Sequence, residues 1–187
     1  DQIGPITHTI EDNALSLSII AGYDKKDSTS VNQEVNNYLS EMKKEIKGKK
    51  IGIPKEYFSP NNSPEIEDSV KSAVKFFEEL GCEIVDISLP HTEYGIAAYY
   101  LISTAEASSN LSRFDGVRYG YREIQGNIRK MYTETRDKGF GVEVKRRIML
   151  GTYALSAGYY DAYYKKAQKV RTLIKEDFQK AFKKVDI

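Results

Sequence analysis

The chain has 187 residues, a length suited to one domain or to one large lobe of a bigger protein. Its 28 Lys and Arg residues nearly balance its 27 Asp and Glu residues, so it lacks the strong positive excess typical of general nucleic-acid-binding proteins. No apolar run approaches the roughly 18–20 residues that a membrane-spanning helix needs, which argues against a membrane protein. The single cysteine, Cys82, excludes an internal disulfide and favours a cytoplasmic location.

The first half of the chain predicts a helix, a polar connector and a strand–helix–strand unit. A helix is expected over residues 8–22, where Thr9 can cap the start. Residues 23–48 are polar and predict a loop with a short helix near residues 38–46. Residues 50–89 predict a parallel βαβ unit, since two short apolar strands flank an amphipathic helix near residues 65–80. Four apolar side chains of that helix are expected to be buried: Ile66, Val70, Val74 and Phe77.

Helix is predicted to dominate the second half of the chain. Residues 92–112 are rich in Ala, Ser and Tyr and predict a helix packed closely through small residues. Residues 113–125 contain Asp115-Gly116 and Gly120 and predict a loop. Two further helices are expected over residues 141–155 and 157–184. The fold class predicted from these patterns is α/β.

The two ends of the chain are typical of a piece cut from a longer protein. The sequence starts without Met, and Val185-Asp186-Ile187 has the character of the start of a strand. A natural C-terminus can also fall at such a position, so the ends by themselves leave both an internal fragment and a natural end open.

The residue patterns alone predict no complete catalytic set and no metal site. His8 and His91 are far apart in the sequence, and no Cys/His cluster has the spacing of metal ligands, so both are expected to be structural. There is neither a G-x-S-x-G elbow nor a phosphate-binding loop.

Arg147 is the single residue most indicative of a binding site, and two interpretations are open for it. It lies beside an apolar stripe of its predicted helix, so its planar guanidinium can bind a carboxylate in a pocket. Alternatively, it forms an i,i+4 ion pair with Glu143 on the helix surface. The spacing by itself favours the ion pair.

Several motifs resemble the amidase-signature family, and within it the A subunits of glutamyl-tRNA(Gln) and aspartyl-tRNA(Asn) amidotransferases. The resemblance covers essentially the whole chain. It is carried by DQIGP at residues 1–5, IPKEY at 53–57, SLPHTEY at 88–94, AEASSNLSRFDG at 105–116, EVKRRIMLGTY at 143–153 and GYYDAYY at 158–164.

The resemblance implies a mixed β-sheet covered by many helices and a glutamine-hydrolysing chemistry that uses a Ser–cis-Ser–Lys triad. It also implies a cytoplasmic heterotrimer that acts in protein biosynthesis. The A subunit then supplies ammonia to the B subunit, where ATP and Mg²⁺ are used to amidate glutamate or aspartate on misacylated tRNA. The C subunit joins the other two, and no cofactor is expected in this chain.

By their motif positions, the resemblance assigns two residues to the glutamine pocket. Arg147 corresponds to the arginine that holds the substrate α-carboxylate, and Tyr99 corresponds to a pocket tyrosine. Residues 1–22 correspond to the end of the signature region, residues 50–89 to the βαβ unit and residues 92–184 to the helical glutamine-pocket region. In the family the triad serines and lysine all precede the equivalent of Asp1. The resemblance therefore implies that residues 1–187 are an internal fragment of a single amidase domain and contain no catalytic residue.

Two other functions compete with this hypothesis. One is an amidase-signature hydrolase that acts on a different amide. The other is a non-catalytic module whose tyrosine- and lysine-rich helices bind a protein or RNA partner.

Overall fold

A computed structural model describes residues 4–116, 118–124 and 126–187. The chain separates into two compact units, Asp1–Gly48 and Lys49–Ile187. Of the DQIGP motif, residues 1–3 lie outside the described residues. Among the described residues, no helix combines the length and the apolar character that crossing a membrane requires.

The described part of the first unit, residues 4–48, contains two helices. Helix α1 spans Ile10–Ile20, and Thr9 caps it because its side-chain oxygen accepts a hydrogen bond from Asp12 N, as the sequence predicts. Helix α2 covers only Tyr38–Glu41, which is shorter than the predicted range. The chain changes after α2 to tighter turns, with Lys43 N donating to Ser40 O at 3.2 Å, so the helix does not continue.

The second unit begins with the predicted strand, helix and parallel strand. Strand β1 is Lys50–Pro54, helix α3 is Pro64–Glu79 and strand β2 is Glu83–Ile87. A short 3-10 turn, Lys55–Tyr57, follows β1. The strands pair in parallel, with Gly52 opposite Val85. Gly81 ends the helix in a left-handed conformation, φ +87°, that a side chain rarely adopts.

Strand β1 also hydrogen-bonds to the last residues of the described chain. Asp186 N donates to Lys50 O at 2.8 Å, and Gly52 N donates to Ile187 O at 2.7 Å. The Asp186 carboxylate accepts a further bond from Lys50 N at 2.9 Å. This pattern satisfies backbone groups of β1 on the side away from β2.

The prediction that the apolar face of α3 is buried is wrong. Ile66 is 64% exposed, Val70 43% and Phe77 38%, while Val74 is half-buried. A groove of about 720 Å³ lies between this face, strand β1 and the segment that follows β1. Ile53 of the strand and Phe58 of that segment line it. The periodicity correctly predicts which face of the helix is apolar, but the two paired strands are too narrow to cover it.

In the residues described after β2, the second unit contains four α-helices. After a 3-10 turn at Thr92–Tyr94, α4 spans Gly95–Leu111 and α5 spans Ile128–Gly139. Helix α6 spans Val142–Leu155. A π-helical turn, Tyr160–Tyr164, leads into α7, Lys165–Ala181, where the sequence predicts one continuous helix.

Helix α5 is not predicted by the sequence pattern, because its apolar residues are sparse. Its inward face consists of Met131, 5% exposed, and Thr135, fully buried at 0%, which lie one helical turn apart. Asn127 caps its start by accepting from Arg129 N at 2.8 Å. Arg136 then donates to Leu111 O and Phe114 O, which ties α5 to the end of α4.

The core of this unit lies where α7 packs on α4. It is centred on Ala98, Ile102 and Ala167, with Leu101 and Val170 packed against them. Small side chains let the two helix backbones approach closely, as the composition of residues 92–112 predicts.

A buried carboxylate fixes the turn after β2 to α7. Asp177, only 4% exposed, accepts hydrogen bonds from His91 N at 3.0 Å and from the His91 ring Nδ1 at 2.9 Å. Burial favours a higher pKa for Asp177, but the hydrogen bonds from His91 outweigh it and hold the pKa below its ordinary value. His91 is thus a structural residue, as expected.

The Asp177 contact leads to a prediction about stability. In the full-length protein, Asp177→Asn is expected to lower the thermal unfolding temperature, because an amide oxygen replaces an ionised acceptor of two hydrogen bonds. Since the folded pKa is depressed, the wild-type advantage is complete above the unfolded value of about 3.9 and disappears as the pH falls through the folded pKa. Thermal scans from pH 7 to pH 3 measure this, with the exposed Asp161→Asn as control. A difference from wild type that persists unchanged at pH 3 would contradict it.

Candidate active-site groove

The candidate site is built on the contact between helices α4 and α6. Ser108 and Thr152 share a hydrogen bond of 2.8 Å, and Gly151 lies directly against the backbone of Thr104. Farther toward the helix starts, Arg147 lies beside Tyr99. The contacts advance in the same sense along both helices, so the two helices run in the same direction.

Beside this contact lies a groove of about 570 Å³. Its walls come from α4, α6 and the π-helical turn, and they combine two guanidinium groups with aromatic and aliphatic side chains. The lining residues are Tyr100, Leu101, Thr104, Arg146, Arg147, Leu150, Tyr153, Ala154 and Tyr163. A mostly apolar concavity with a few directed polar groups is the usual form of a small-molecule site.

Three charged side chains at the groove form one cluster, which we call the Arg146–Glu143–Arg147 cluster. Arg146 donates to both oxygens of Glu143, from Nε at 2.8 Å and from Nη2 at 2.9 Å. Arg147 donates from Nε to Glu143 Oε1 at 2.9 Å. The i,i+4 pair considered in the sequence therefore exists, and it leaves the cluster with a net charge of +1.

Hydrogen bonding within the cluster shifts the pKa of its members. The bonds from Arg146 and then Arg147 lower the pKa of Glu143 to about 2, so the carboxylate stays ionised at neutral pH. Hydrogen bonds to Glu143 and then to the Tyr99 hydroxyl raise the pKa of Arg147. Arg147 is therefore a fixed positive charge at the groove.

The structure brings the two predicted site residues together but does not place them in the same depression. The Tyr99 side chain reaches Arg147, as its effect on the arginine pKa shows. However, Tyr99 lines a neighbouring depression of about 350 Å³ together with Ser103, Glu106 and Arg171. Both side chains remain accessible, with Arg147 37% exposed and Tyr99 57% exposed. Their roles in substrate binding remain predictions.

Three tyrosine rings pack together beside the groove, and two of them, Tyr153 and Tyr163, line it. The rings of Tyr153 and Tyr159 are 4.3 Å apart, and those of Tyr159 and Tyr163 are 5.9 Å apart. Hydrogen bonding to Tyr159 raises the pKa of Tyr153 to about 12, so its hydroxyl is neutral at physiological pH. The π-helical turn places these rings together, and helical spacing in the sequence does not predict such a turn.

The described part of the chain holds neither a metal site nor a serine nucleophile with a basic partner. No group of three or more His, Cys, Asp or Glu residues within it is arranged to bind a metal ion. Where side chains of described serines bond to other side chains, the partners are Glu56 for Ser88 and Thr152 for Ser108. The groove can thus bind and orient a carboxylate, while its own residues supply no nucleophile.

The chain belongs to the amidase family. The family model for amidases matches residues 1–187, the whole of this chain. Together with the parallel strands and the close packing of helices α4, α6 and α7, this match identifies the fold as a part of an amidase-signature enzyme.

Two similar relatives are A subunits of glutamyl-tRNA(Gln) amidotransferase. The chain is 60% identical over 186 residues to this subunit from Thermodesulfovibrio yellowstonii, a match that covers 100% of this chain and 38% of the relative. It is 59% identical to the subunit of the same name from Halothermothrix orenii, over 100% of this chain and 39% of the relative. The chain therefore spans less than two-fifths of the length of these relatives.

Two solved structures share the fold. The crystal structure of the glutamyl-tRNA(Gln) amidotransferase A subunit from Thermotoga maritima superposes with a TM-score of 0.70 at 37% identity, covering 98% of this chain and 35% of that one. A bacterial aryl acylamidase of the amidase-signature family superposes with a TM-score of 0.69 at 21% identity, covering 97% of this chain and 34% of that one. The second likeness shows the fold alone.

Proposed function

We propose that this chain is the glutamine-binding part of the A subunit of a tRNA-dependent amidotransferase. The observation that carries the proposal is the position of Arg147, a fixed positive charge on the wall of an aromatic-lined groove, within a sequence 60% identical to an amidotransferase A subunit. Glutamine carries an α-carboxylate at one end and a carboxamide at the other. Its carboxylate binds Arg147, and its carboxamide is directed toward a serine nucleophile supplied by the rest of the protein.

The remaining steps follow from that placement. The serine attacks the carboxamide carbon, an acyl-enzyme forms and ammonia leaves. Backbone N–H groups hold the oxyanion during the attack. Ammonia passes to a B subunit, which uses ATP and Mg²⁺ to amidate glutamate or aspartate on a misacylated tRNA, and a C subunit joins the other two. In this scheme the chain needs no cofactor of its own.

The test is glutamine-dependent amidation by the full-length protein assembled with its B and C subunits. The assembled complex is expected to convert Glu-tRNA(Gln) to Gln-tRNA(Gln) with glutamine as the nitrogen donor, and Asp-tRNA(Asn) is assayed in parallel. Hydrolysis of a different amide without the B and C subunits, together with no use of glutamine, would overturn the proposal.

A second prediction concerns the chain of 187 residues by itself. It is expected to release no ammonia from glutamine above a buffer blank, because no serine of the described residues is paired with a lysine or histidine. The measurement is an ammonia assay on the purified chain, with the full-length protein as positive control. Ammonia release that survives repeated purification would refute it.

A further inference from the structure

We infer that Glu143 is a positioning residue that orients Arg147 toward the substrate carboxylate. The inference rests on the proposed function and adds a residue to it. Glu143 does not touch the substrate in this scheme. It acts by holding Arg147 in one orientation within the groove.

The pattern of donors and acceptors carries the inference. Arg147 donates to Glu143 Oε1 from Nε, at 2.9 Å, and not from its Nη groups. A guanidinium group has five N–H donors, so the two Nη groups of Arg147 still present a fork to a second carboxylate. The bond from Nε to Glu143 therefore limits the rotation of the Arg147 guanidinium.

The orientation of Arg147 needs such support. Its side chain is 37% exposed, and an exposed arginine side chain loses conformational entropy when it is ordered. If Glu143 orders the guanidinium beforehand, the substrate does not bear that cost when it binds.

Arg146 completes the arrangement by holding Glu143. It binds both carboxylate oxygens, at 2.8 and 2.9 Å, which is the fork geometry that fixes a carboxylate most firmly. Arg146 also offsets the negative charge of Glu143, so the cluster still attracts an anionic group. Without this second arginine, Glu143 would repel the substrate carboxylate.

The experiment uses Glu143→Gln in the full-length protein assembled with its B and C subunits. We expect KM for glutamine to rise about two- to fivefold with kcat nearly unchanged, as suits the loss of an exposed ion pair. Amidation driven by free ammonia should be unaffected. Glu143→Asp should recover part of the loss, and Glu78→Gln, an exposed change on α3, is the matched control.

A double-mutant cycle separates positioning from an independent effect. If Glu143 acts through Arg147, adding Glu143→Gln to Arg147→Lys should cause no further rise in KM. Additive effects would overturn the inference. A lower KM in Glu143→Gln would also overturn it, because Glu143 would then be competing with the substrate for Arg147.

A structural measurement distinguishes failure of this inference from failure of the proposed function. In crystals of the full-length protein, Arg147 is expected in one conformer in the wild type and in several in Glu143→Gln. If the wild-type complex does not use glutamine, the proposed function fails whatever the conformers show. If it does, and Arg147 keeps its single conformer in the variant, only the positioning role fails.

Discussion

Replacing Arg147 by lysine in the full-length protein, assembled with its B and C subunits, is expected to lower kcat/KM for glutamine about tenfold to a hundredfold. Lysine keeps the positive charge but loses the planar fork that binds both oxygens of a carboxylate. It also loses the Nε donor that now holds Glu143 at 2.9 Å. The measurement is steady-state amidation at varied glutamine concentrations.

The nitrogen source and a matched variant provide the controls for Arg147→Lys. Free ammonia does not need the groove, so ammonia-dependent amidation should be nearly unchanged. Arg118→Lys is the matched control, because Arg118 also donates to a carboxylate nearby in the sequence: it binds Asp115, three residues before it, through Nε and Nη2 at 3.2 Å. Equal damage to the glutamine- and ammonia-dependent activities would show that Arg147 is structural.

Gly151→Ala is expected to give the largest loss of stability. A Cβ at this position would lie 1.9 Å from Thr104 O, 2.5 Å from Thr104 C and 2.8 Å from Ser108 Cβ. The first two atoms are backbone, so helices α4 and α6 must move apart. Overpacking typically costs about 1–3 kcal/mol and occasionally more, which exceeds the gain of about 1 kcal/mol from replacing glycine in a helix.

Denaturant unfolding of the full-length protein measures this loss, and Gly95→Ala is the control. Gly95 begins α4, has nothing within 4 Å of an added Cβ and has an ordinary helical φ of −57°. The same substitution there should leave the free energy of unfolding unchanged or raise it slightly. Because the α4–α6 contact adjoins the groove, Gly151→Ala should also weaken glutamine binding. Equal stability of the two variants would show that the close approach of the helices is not a constraint.

Much of the fold could be predicted because its signals are local. Thr9 caps α1, Pro64 opens α3 and Gly81 closes it, and each residue acts on backbone groups within a few positions of itself. Helix α5 could not be predicted because its core face is a methionine and a threonine, and a buried threonine gives no apolar signal.

The sequence predicts only a part of the candidate site. The spacing of Glu143 and Arg147 predicts their ion pair, and the family motifs single out Arg147 and Tyr99. That Arg146 binds the same carboxylate through two nitrogens, Nε and Nη2, depends on side-chain geometry, which spacing does not specify. The groove itself needs α4 together with α6 and the π-helical turn, and α5 separates α4 from the other two in the sequence.

Short-range chemistry that can be recognised in the sequence set the positions of helices α1, α3, α4 and α6 and the apolar face of α3. What apolar faces contact was decided by tertiary structure: Ile66 and Val70 face an open groove, while Ala98 and Ala167 meet in the core. Hydrophobic burial depends on the area that a neighbouring element offers, and periodicity carries no information about that neighbour. The close contact at Gly151 likewise depends on how two helices pack against each other. No pattern in the sequence distinguishes Gly151 from the other glycines.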